Sequence, residues 1–172
     1  WFFPITDFFT LMLNGEAGYA DGYSGNTLPF FKNFFAGGNN SVRGYDLNSL
    51  GPRDVNISTN SRLFAVGASK RVVGNIELMF PVPFMKDDRS LRLSLFVDGG
   101  TTFNRLDTVT KVDSSGKTVE VLGFGDLMRY STGIALTWVS PMGPLKVSIA
   151  QPLNDQPSDN LQRFQFMFGQ QF

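Results

Sequence analysis

The sequence predicts an all-β protein, a transmembrane antiparallel β-barrel of which residues 1–172 form a C-terminal fragment of about six strands. Three observations predict this fold. Apolar and polar side chains alternate with a period of two over six segments. The chain combines 18 Phe and 18 Gly with ordinary hydropathy, as expected where a lipid-facing surface balances a polar lumen. Short turns also alternate with long polar connections, an asymmetry typical of outer-membrane barrels.

Each alternating segment is close to the ~9–11 residues that a tilted membrane strand needs. In the second, for example, Ile76 and Leu78 lie on one face and Glu77 on the other. A soluble β-sandwich shares this period, but it would not place so many large aromatics on the outward face of successive strands. The predicted strands are residues 8–19, 70–80, 91–103, 129–139, 145–150 and 163–172, and residues 1–3 are the tail of another.

The connections predict how the chain is oriented in a membrane. The turns at 4–7, 81–90 and 140–144 are short and contain Pro. The connections at 20–69, 104–128 and 154–162 are longer and polar, so we expect them on the extracellular side. The last strand then runs towards the periplasm and ends there at Phe172. Since single-chain barrels start at about eight strands, we expect the missing strands upstream, within one barrel domain to which residues 1–172 belong.

Composition excludes several classes of function. A formal net charge of zero argues against nucleic-acid binding. The chain has neither Cys nor His, so disulfides, thiolate or imidazole metal sites and the usual general base of hydroxyl nucleophiles are missing. Glu77 and Asp98 could form a carboxylate pair for acid–base work, but this is the weakest alternative. We expect no enzyme activity, no catalytic residue, no cofactor and no metal site.

Residues 20–69 are too long for a simple hairpin turn. This connection contains apolar groups that need a surface to pack on, and a pair of glycines precedes the motif Val42, Arg43, Gly44 and Tyr45. Gly44 permits a tight turn beside the arginine, and Tyr45 offers a ring with a hydrogen-bonding tip. Inserted into the lumen, such a loop would present the planar fork of Arg43 to carboxylates on the barrel wall.

Glu77 and Asp98 are candidate partners because both occupy polar positions in the alternation of two consecutive predicted strands. Antiparallel pairing could bring these carboxylates together, and an arginine between them would relieve their repulsion. The alternative is that Arg43 is an exposed loop cation and that the two acids only solvate the lumen.

The motif at residues 42–45, with residues 34–38 before it and 50–52 after it, resembles the signature of loop six in the BamA family of outer-membrane β-barrel assembly factors. Residues 140–145 and the alternating Phe residues of the last strand resemble the end of the same barrel, so the resemblance covers essentially the whole chain. It implies a sixteen-stranded barrel in which Arg43 bonds the wall at Glu77 and Asp98. The family more often has Phe where Tyr45 stands.

The resemblance implies folding and insertion of β-barrel proteins into the outer membrane of a Gram-negative bacterium. Clients would enter through a lateral gate between the first and last strands of the barrel. Implied partners are unfolded outer-membrane proteins, accessory lipoproteins, the lipid bilayer and lipopolysaccharide, with POTRA domains upstream. In this chain the gate edge would be Phe164, Phe166, Phe168, Gly169 and Phe172.

Three other functions stay open at this point. A related translocation and assembly module, or a two-partner secretion transporter, would share the Arg43 loop. A diffusion porin would share the charged lumen, although it would leave the Gly-rich loop motif without a role.

Overall fold

The computed structural model describes eight stretches of the chain. They are residues 1–22, 28–56, 61–82, 90–104, 109–112, 118–121, 127–157 and 159–169, with the backbone alone described at 54–56, 61–64, 109–112 and 118–121. A short 3-10 helix spans Phe30–Lys32. Among these residues, no helix has the length and apolar character that crossing a membrane requires.

The described chain is built mainly from antiparallel strands. In chain order they are β1 (Phe2–Pro4), β2 (Thr10–Tyr19), β3 (Gly44–Tyr45), β4 (Arg53–Asn56), β5 (Ser61–Ala65), β6 (Lys70–Pro81), β7 (Leu91–Phe103), β8 (Val109–Val112), β9 (Thr118–Val121), β10 (Arg129–Ser140), β11 (Gly143–Pro152), β12 (Leu161–Gln162) and β13 (Phe164–Phe168).

Seven of these strands form one sheet in the order β1-β2-β6-β7-β10-β11-β13. Every neighbouring pair is antiparallel. Apart from the short strands of the connections, neighbours in this sheet follow one another along the chain, as in a meander. The pairs β4–β5, β8–β9 and β3–β12 lie within or between the long connections and form separate two-stranded sheets.

The predicted strands are confirmed, with several of their ends shifted. The first begins at Thr10 rather than residue 8, because Phe9 closes a turn whose carbonyl accepts the amides of Ile5 and Thr6 at 2.9 and 3.2 Å. The strand predicted at 145–150 extends over Gly143–Pro152. The last strand spans Phe164–Phe168 rather than beginning at residue 163 and continuing to 172, because Gly169 has φ +84° and is no longer extended; the predicted terminal aromatic Phe172 lies outside the described residues.

The two faces of the large sheet have opposite character, and their exposure is the reverse of a water-soluble protein. Apolar side chains on one face are exposed, whereas polar side chains on the other face are buried. Burying polar groups and exposing aliphatic ones is unfavourable in water but suits a lipid-facing wall. Exposed examples are Ile76, Leu95, Val97, Ile134 and Ile149; buried ones are Glu77, Asp98, Ser131, Ser148 and Gln165.

The long connection between β2 and β6 packs on the polar face. Ala36, Val42, Tyr45 and Leu50 from the connection form a buried apolar cluster with Val73 of β6. This cluster provides the surface that the apolar groups of the connection require. Packing of this cluster also places the motif at residues 42–45 against the side chains of β6 and β7.

Candidate functional site

The backbone around Arg43 is shaped by glycines with positive φ. Gly37 has φ +108° and Gly44 has φ +92°, a region that other L-residues rarely adopt. A Cβ at Gly37 would collide with the Asp46 carbonyl oxygen, and one at Gly44 would lie 3.1 Å from the Ala150 Cβ. The chain therefore turns sharply on both sides of Arg43 and approaches β11 closely just after it.

Arg43 binds both predicted wall carboxylates. Its Nε donates to Asp98 Oδ2 at 2.7 Å, and its Nη2 donates to Asp98 Oδ1 at 2.8 Å. Its Nη1 donates to Glu77 Oε2 at 2.9 Å. The Arg43 backbone amide also reaches Asp98 Oδ2 at 3.1 Å. The guanidinium group thus makes a two-point contact with Asp98 and a one-point contact with Glu77, the geometry in which arginine pairs most strongly with carboxylates.

Strand register explains why these two carboxylates meet one guanidinium group. Asn75 is the Cα partner of Asp98, and Phe96 is the Cα partner of Glu77. The carboxylates are therefore diagonal neighbours on the polar face rather than a directly opposed pair. A cation between them relieves repulsion that would otherwise oppose their shared burial.

Phe96 lies beneath the guanidinium group. The Arg43 Cζ is 3.4 Å from the centroid of the Phe96 ring, a cation–π contact made away from water. The ring fits because Gly133 is its neighbour on β10: a Cβ there would lie 2.7 Å from Phe96 Cζ and would collide with the Ile149 carbonyl oxygen. Sequence reasoning missed Phe96, although a large aromatic on an otherwise polar parity was a signal for it.

Glu77 has two further partners. Ser94 Oγ donates to Glu77 Oε1 at 2.6 Å, and Lys146 Nζ of β11 approaches Glu77 Oε2 at 3.1 Å. The net charge of the group is zero, since the two cations Arg43 and Lys146 contact the two carboxylates Glu77 and Asp98. Charge neutrality is what allows such a group to stay buried, because an unpaired buried charge is costly.

Asn75 links the loop to the wall a second time. Its Nδ2 donates to Asp98 Oδ1 at 2.8 Å and to the Ser41 carbonyl oxygen at 2.6 Å. Asn75 thus orients the carboxylate that holds Arg43 and also binds the loop backbone two residues earlier. We call Arg43, Glu77, Asp98, Asn75, Ser94, Phe96 and Lys146 the Arg43 cluster.

Arg43 remains charged in this environment. Burial disfavours the charged guanidinium group, but hydrogen bonds and charge from Asp98 and Glu77 outweigh burial and raise the pKa of Arg43. The side chain is 3% exposed, and those of Asp98 and Glu77 are 0% and 2% exposed. The interaction is therefore little screened by solvent.

Val42 and Tyr45 anchor the loop on either side of Arg43 and Gly44. Both are fully buried within the cluster that includes Val73. Burial, with a contribution from the charge of Asp159, raises the pKa of the Tyr45 hydroxyl above its ordinary value. The hydroxyl donates a long hydrogen bond of 3.4 Å to the Tyr130 carbonyl oxygen.

The last strand alternates strongly. Phe164, Phe166 and Phe168 are exposed, whereas Gln165 between them is buried. Gly169 has φ +84° and its amide donates to the Pro144 carbonyl oxygen at 2.8 Å, so the chain leaves the extended conformation there. The three Phe residues and Gln165 lie on β13, Gly169 follows it directly, and Phe172 is not among the described residues.

The chain matches one protein family over its whole length. The model of the Omp85 superfamily domain covers residues 1–172. The chain is 42% identical, over an alignment 184 positions long, to the outer membrane protein assembly factor BamA of Neisseria meningitidis, covering 100% of this chain and 23% of that protein. It is 29% identical to the sorting assembly machinery 50 kDa subunit of Saccharomyces cerevisiae, covering 96% of this chain and 32% of that protein.

A solved structure has the same fold. The crystal structure of BamA from Haemophilus ducreyi lacking POTRA domains 1–3 aligns with a TM-score of 0.80 and 30% identity, covering 96% of this chain and 32% of that one. The prediction of an outer-membrane β-barrel is confirmed by these matches. The chain spans less than a quarter of the length of the Neisseria relative. This chain belongs to the Omp85 superfamily.

Proposed function

We propose that the chain is the C-terminal part of the barrel of an assembly factor, and that the whole protein folds β-barrel proteins and inserts them into the outer membrane. The observation that carries this proposal is the buried contact of Arg43 with Asp98 and Glu77, in a chain 42% identical to a BamA. The contact holds a long connection against the polar face of the sheet, which we take to be the barrel lumen.

The role proposed for the Arg43 cluster is mechanical. Withdrawing the loop would separate a buried guanidinium group from two buried carboxylates, which is strongly unfavourable. The cluster would therefore act as a latch, formed by residues 42–45 on the loop and by Glu77 and Asp98 on the wall. A latched loop would stiffen the wall at β6 and β7.

The proposed gate uses the free edge of β13. This strand pairs with β11 through five residues, from Phe164 to Phe168, and it has no second partner among the described strands. An unpaired edge can accept another strand by β-augmentation. Phe164, Phe166, Phe168 and Gly169, with Phe172, would form one side of a lateral gate, and the first strand of the complete barrel would form the other.

Binding alone accounts for this function. The carboxylates of Glu77 and Asp98 are engaged by Arg43, Asn75, Ser94 and Lys146, so neither is placed to exchange a proton with a substrate. We propose that the protein is not an enzyme and uses no cofactor. Its partners would be unfolded outer-membrane proteins, accessory lipoproteins, lipopolysaccharide and the surrounding lipid.

The names of the relatives favour assembly over secretion. The proteins from Neisseria meningitidis and Saccharomyces cerevisiae are both named for assembly. A translocation module or two-partner secretion transporter of the same superfamily is the second candidate. The two are separated by their clients. Loss of an assembly factor changes the levels of many barrels, whereas loss of a transporter changes the level of one exported protein.

The experiment replaces Arg43 with alanine in the full-length protein, in cells that depend on it. We expect porin levels in the outer membrane to fall several-fold and growth to slow. Arg163→Ala is the matched control, because that arginine side chain is exposed. Normal growth and porin levels in the Arg43→Ala strain would refute the proposed role of the latch.

A further inference from the structure

The end of the chain divides its pairing between two partners. β13 pairs with β11 from Leu145 to Ile149. Just before it, β12 leaves the large sheet and pairs instead with β3 of the long connection, placing Leu161 opposite Tyr45. The change of pairing partner occurs at Arg163, whose carbonyl oxygen still accepts a hydrogen bond from the Ala150 amide at 2.8 Å. The edge strand β13 is thus linked, through β12 and its pairing with β3, to the connection that carries Arg43.

Gln165 makes a short side-chain hydrogen bond across this junction. It lies on β13, and its Nε2 donates to the Tyr45 carbonyl oxygen at 2.7 Å. Its side chain is directed to the polar face and the residue is 3% exposed. Tyr45 is two residues from Arg43, so this hydrogen bond joins the last strand to the motif itself.

Two other contacts support the same junction. The Asp46 amide donates to the Asn160 carbonyl oxygen at 2.9 Å, extending the β3–β12 pairing by one residue. Ser148 of β11, the Cα partner of Gln165, places its Oγ 3.3 Å from Asn39 Oδ1 of the same connection. The connection is therefore bound to β11, β12 and β13 as well as to the wall at β6 and β7.

We propose that Gln165 is a positioning residue that couples the Arg43 loop to the last strand. Anchoring Arg43 holds the Tyr45 carbonyl oxygen where Gln165 can reach it, and this hydrogen bond in turn holds the extracellular end of the last strand. Its relevance to assembly rests on the proposed function, since only then is β13 a gate strand; the coupling itself is a property of the fold.

Coupling of this kind is reciprocal. If anchoring Arg43 stabilises the last strand, the last strand must stabilise the Arg43 loop by the same factor. The two directions can be measured separately by backbone hydrogen exchange, which reports the local opening of each segment. The measurement uses the full-length protein reconstituted in lipid and requires no client.

In the first direction, Arg43→Ala should speed exchange at residues 161–168 by about threefold to tenfold, as expected for loss of roughly one hydrogen bond's stabilisation. In the second, Gln165→Met, which keeps the length of the side chain but removes its donor, should speed exchange at residues 42–46 by a similar factor. Gln165→Glu should act in the same way, because it sets an acceptor against the Tyr45 carbonyl oxygen.

Gln162→Met is the matched control. Gln162 is the same residue type three positions away, its side chain is exposed, and its backbone takes part in the β3–β12 pairing. We expect wild-type exchange at residues 42–46 in this variant. Faster exchange confined to residues 36–50 in Arg43→Ala, or wild-type exchange at 42–46 in both Gln165 variants, would overturn the coupling.

If Arg43→Ala does not fold, the Gln165 variants decide the question alone. Porin levels measured with the same variants separate the coupling from the proposed function. Reciprocal exchange effects with unchanged porin levels in Arg43→Ala would uphold the coupling and refute the assembly role. Loss of porins, with faster exchange only in the mutated segment, would refute the coupling and support the assembly role.

Discussion

The guanidinium group of Arg43 lies over the ring of Phe96, with its central carbon 3.4 Å from the ring centroid. The edges of the same group meet Asp98 and Glu77. The ring therefore supports the face of the guanidinium group while the carboxylates fix its edges. Only a planar cation satisfies both requirements, because an ammonium group has neither the fork nor the face.

The first prediction concerns that planar geometry. Arg43→Ala should lower the free energy of unfolding of the full-length protein by ~3–5 kcal/mol, because it leaves two carboxylates buried together without their cation. Arg43→Lys should recover little of this loss. Urea unfolding in detergent micelles measures both, with Arg163→Ala, an exposed side chain, expected within ~0.5 kcal/mol of wild type. Full recovery in Arg43→Lys would contradict the importance of the fork.

A second prediction ranks the two carboxylates. Asp98 accepts hydrogen bonds from Arg43 through its backbone amide, Nε and Nη2, and from Asn75. Glu77 holds Arg43 by one bond and shares its charge with Lys146, which is 21% exposed and can turn to water. Asp98→Asn should therefore cost more stability than Glu77→Gln, by ~1–2 kcal/mol.

A double-mutant cycle checks this ranking. The coupling energy between Arg43 and Asp98 should exceed that between Arg43 and Glu77, as measured by urea unfolding of the single and double variants. Equal coupling energies would show that charge alone, rather than the two-point contact, holds the arginine.

The third prediction concerns the space under Phe96. Gly133→Ala should destabilise the protein by ~1–3 kcal/mol, because the added methyl group meets the Phe96 ring and the Ile149 carbonyl oxygen. Gly74→Ala is the control, since a Cβ there meets nothing within 4 Å. It should be neutral or slightly stabilising. Thermal unfolding measures both, and equal losses would mean that glycine matters at these positions only through the backbone.

The fourth prediction is a dependence on alkaline pH. An unfolded tyrosine ionises near pH ~10, and burial raises the pKa of Tyr45 above that value. Its contribution to stability is therefore complete below about pH 10. It is lost as the pH rises further, because the unfolded state then releases a proton that the folded state keeps.

Tyr45→Phe isolates this effect. Near neutral pH the variant should differ from wild type by less than ~1 kcal/mol, since the hydroxyl makes only a long bond to Tyr130. Above about pH 10, wild type should lose stability relative to the variant by up to ~1.4 kcal/mol per pH unit. Urea unfolding over that range measures the difference; parallel curves would show that the hydroxyl is not held protonated.

The strands of the wall could be predicted because their signal is local. Alternation such as that of Ile76 with Glu77 depends only on the period of an extended chain, and every predicted strand has a counterpart in the sheet. The main error, at residues 8 and 9, arose where apolar residues continue through a turn. There the hydrogen bonds to the Phe9 carbonyl oxygen, rather than the pattern, decide where the strand begins.

The site was only partly predictable. Parity and the resemblance named Glu77 and Asp98 as partners of Arg43, because polar residues of neighbouring strands share a face. Sequence reasoning missed Phe96, Lys146 and Gln165. Phe96 and Gln165 contact the loop, and Lys146 contacts Glu77, each from a strand far away in sequence. Periodicity gives the face of a side chain but not the register that decides which side chains touch.

The sequence by itself determined an alternating wall, a glycine-shaped loop and the residue types able to hold one cation. Only the tertiary structure decided how they combine: register sets Glu77 and Asp98 on a diagonal, and Gly133 leaves room for Phe96. It also decided that β12 joins the loop rather than the wall. The physical reason is that alternation is fixed by bonds between neighbours along the chain, whereas a buried ionic contact depends on distances between strands that only packing sets.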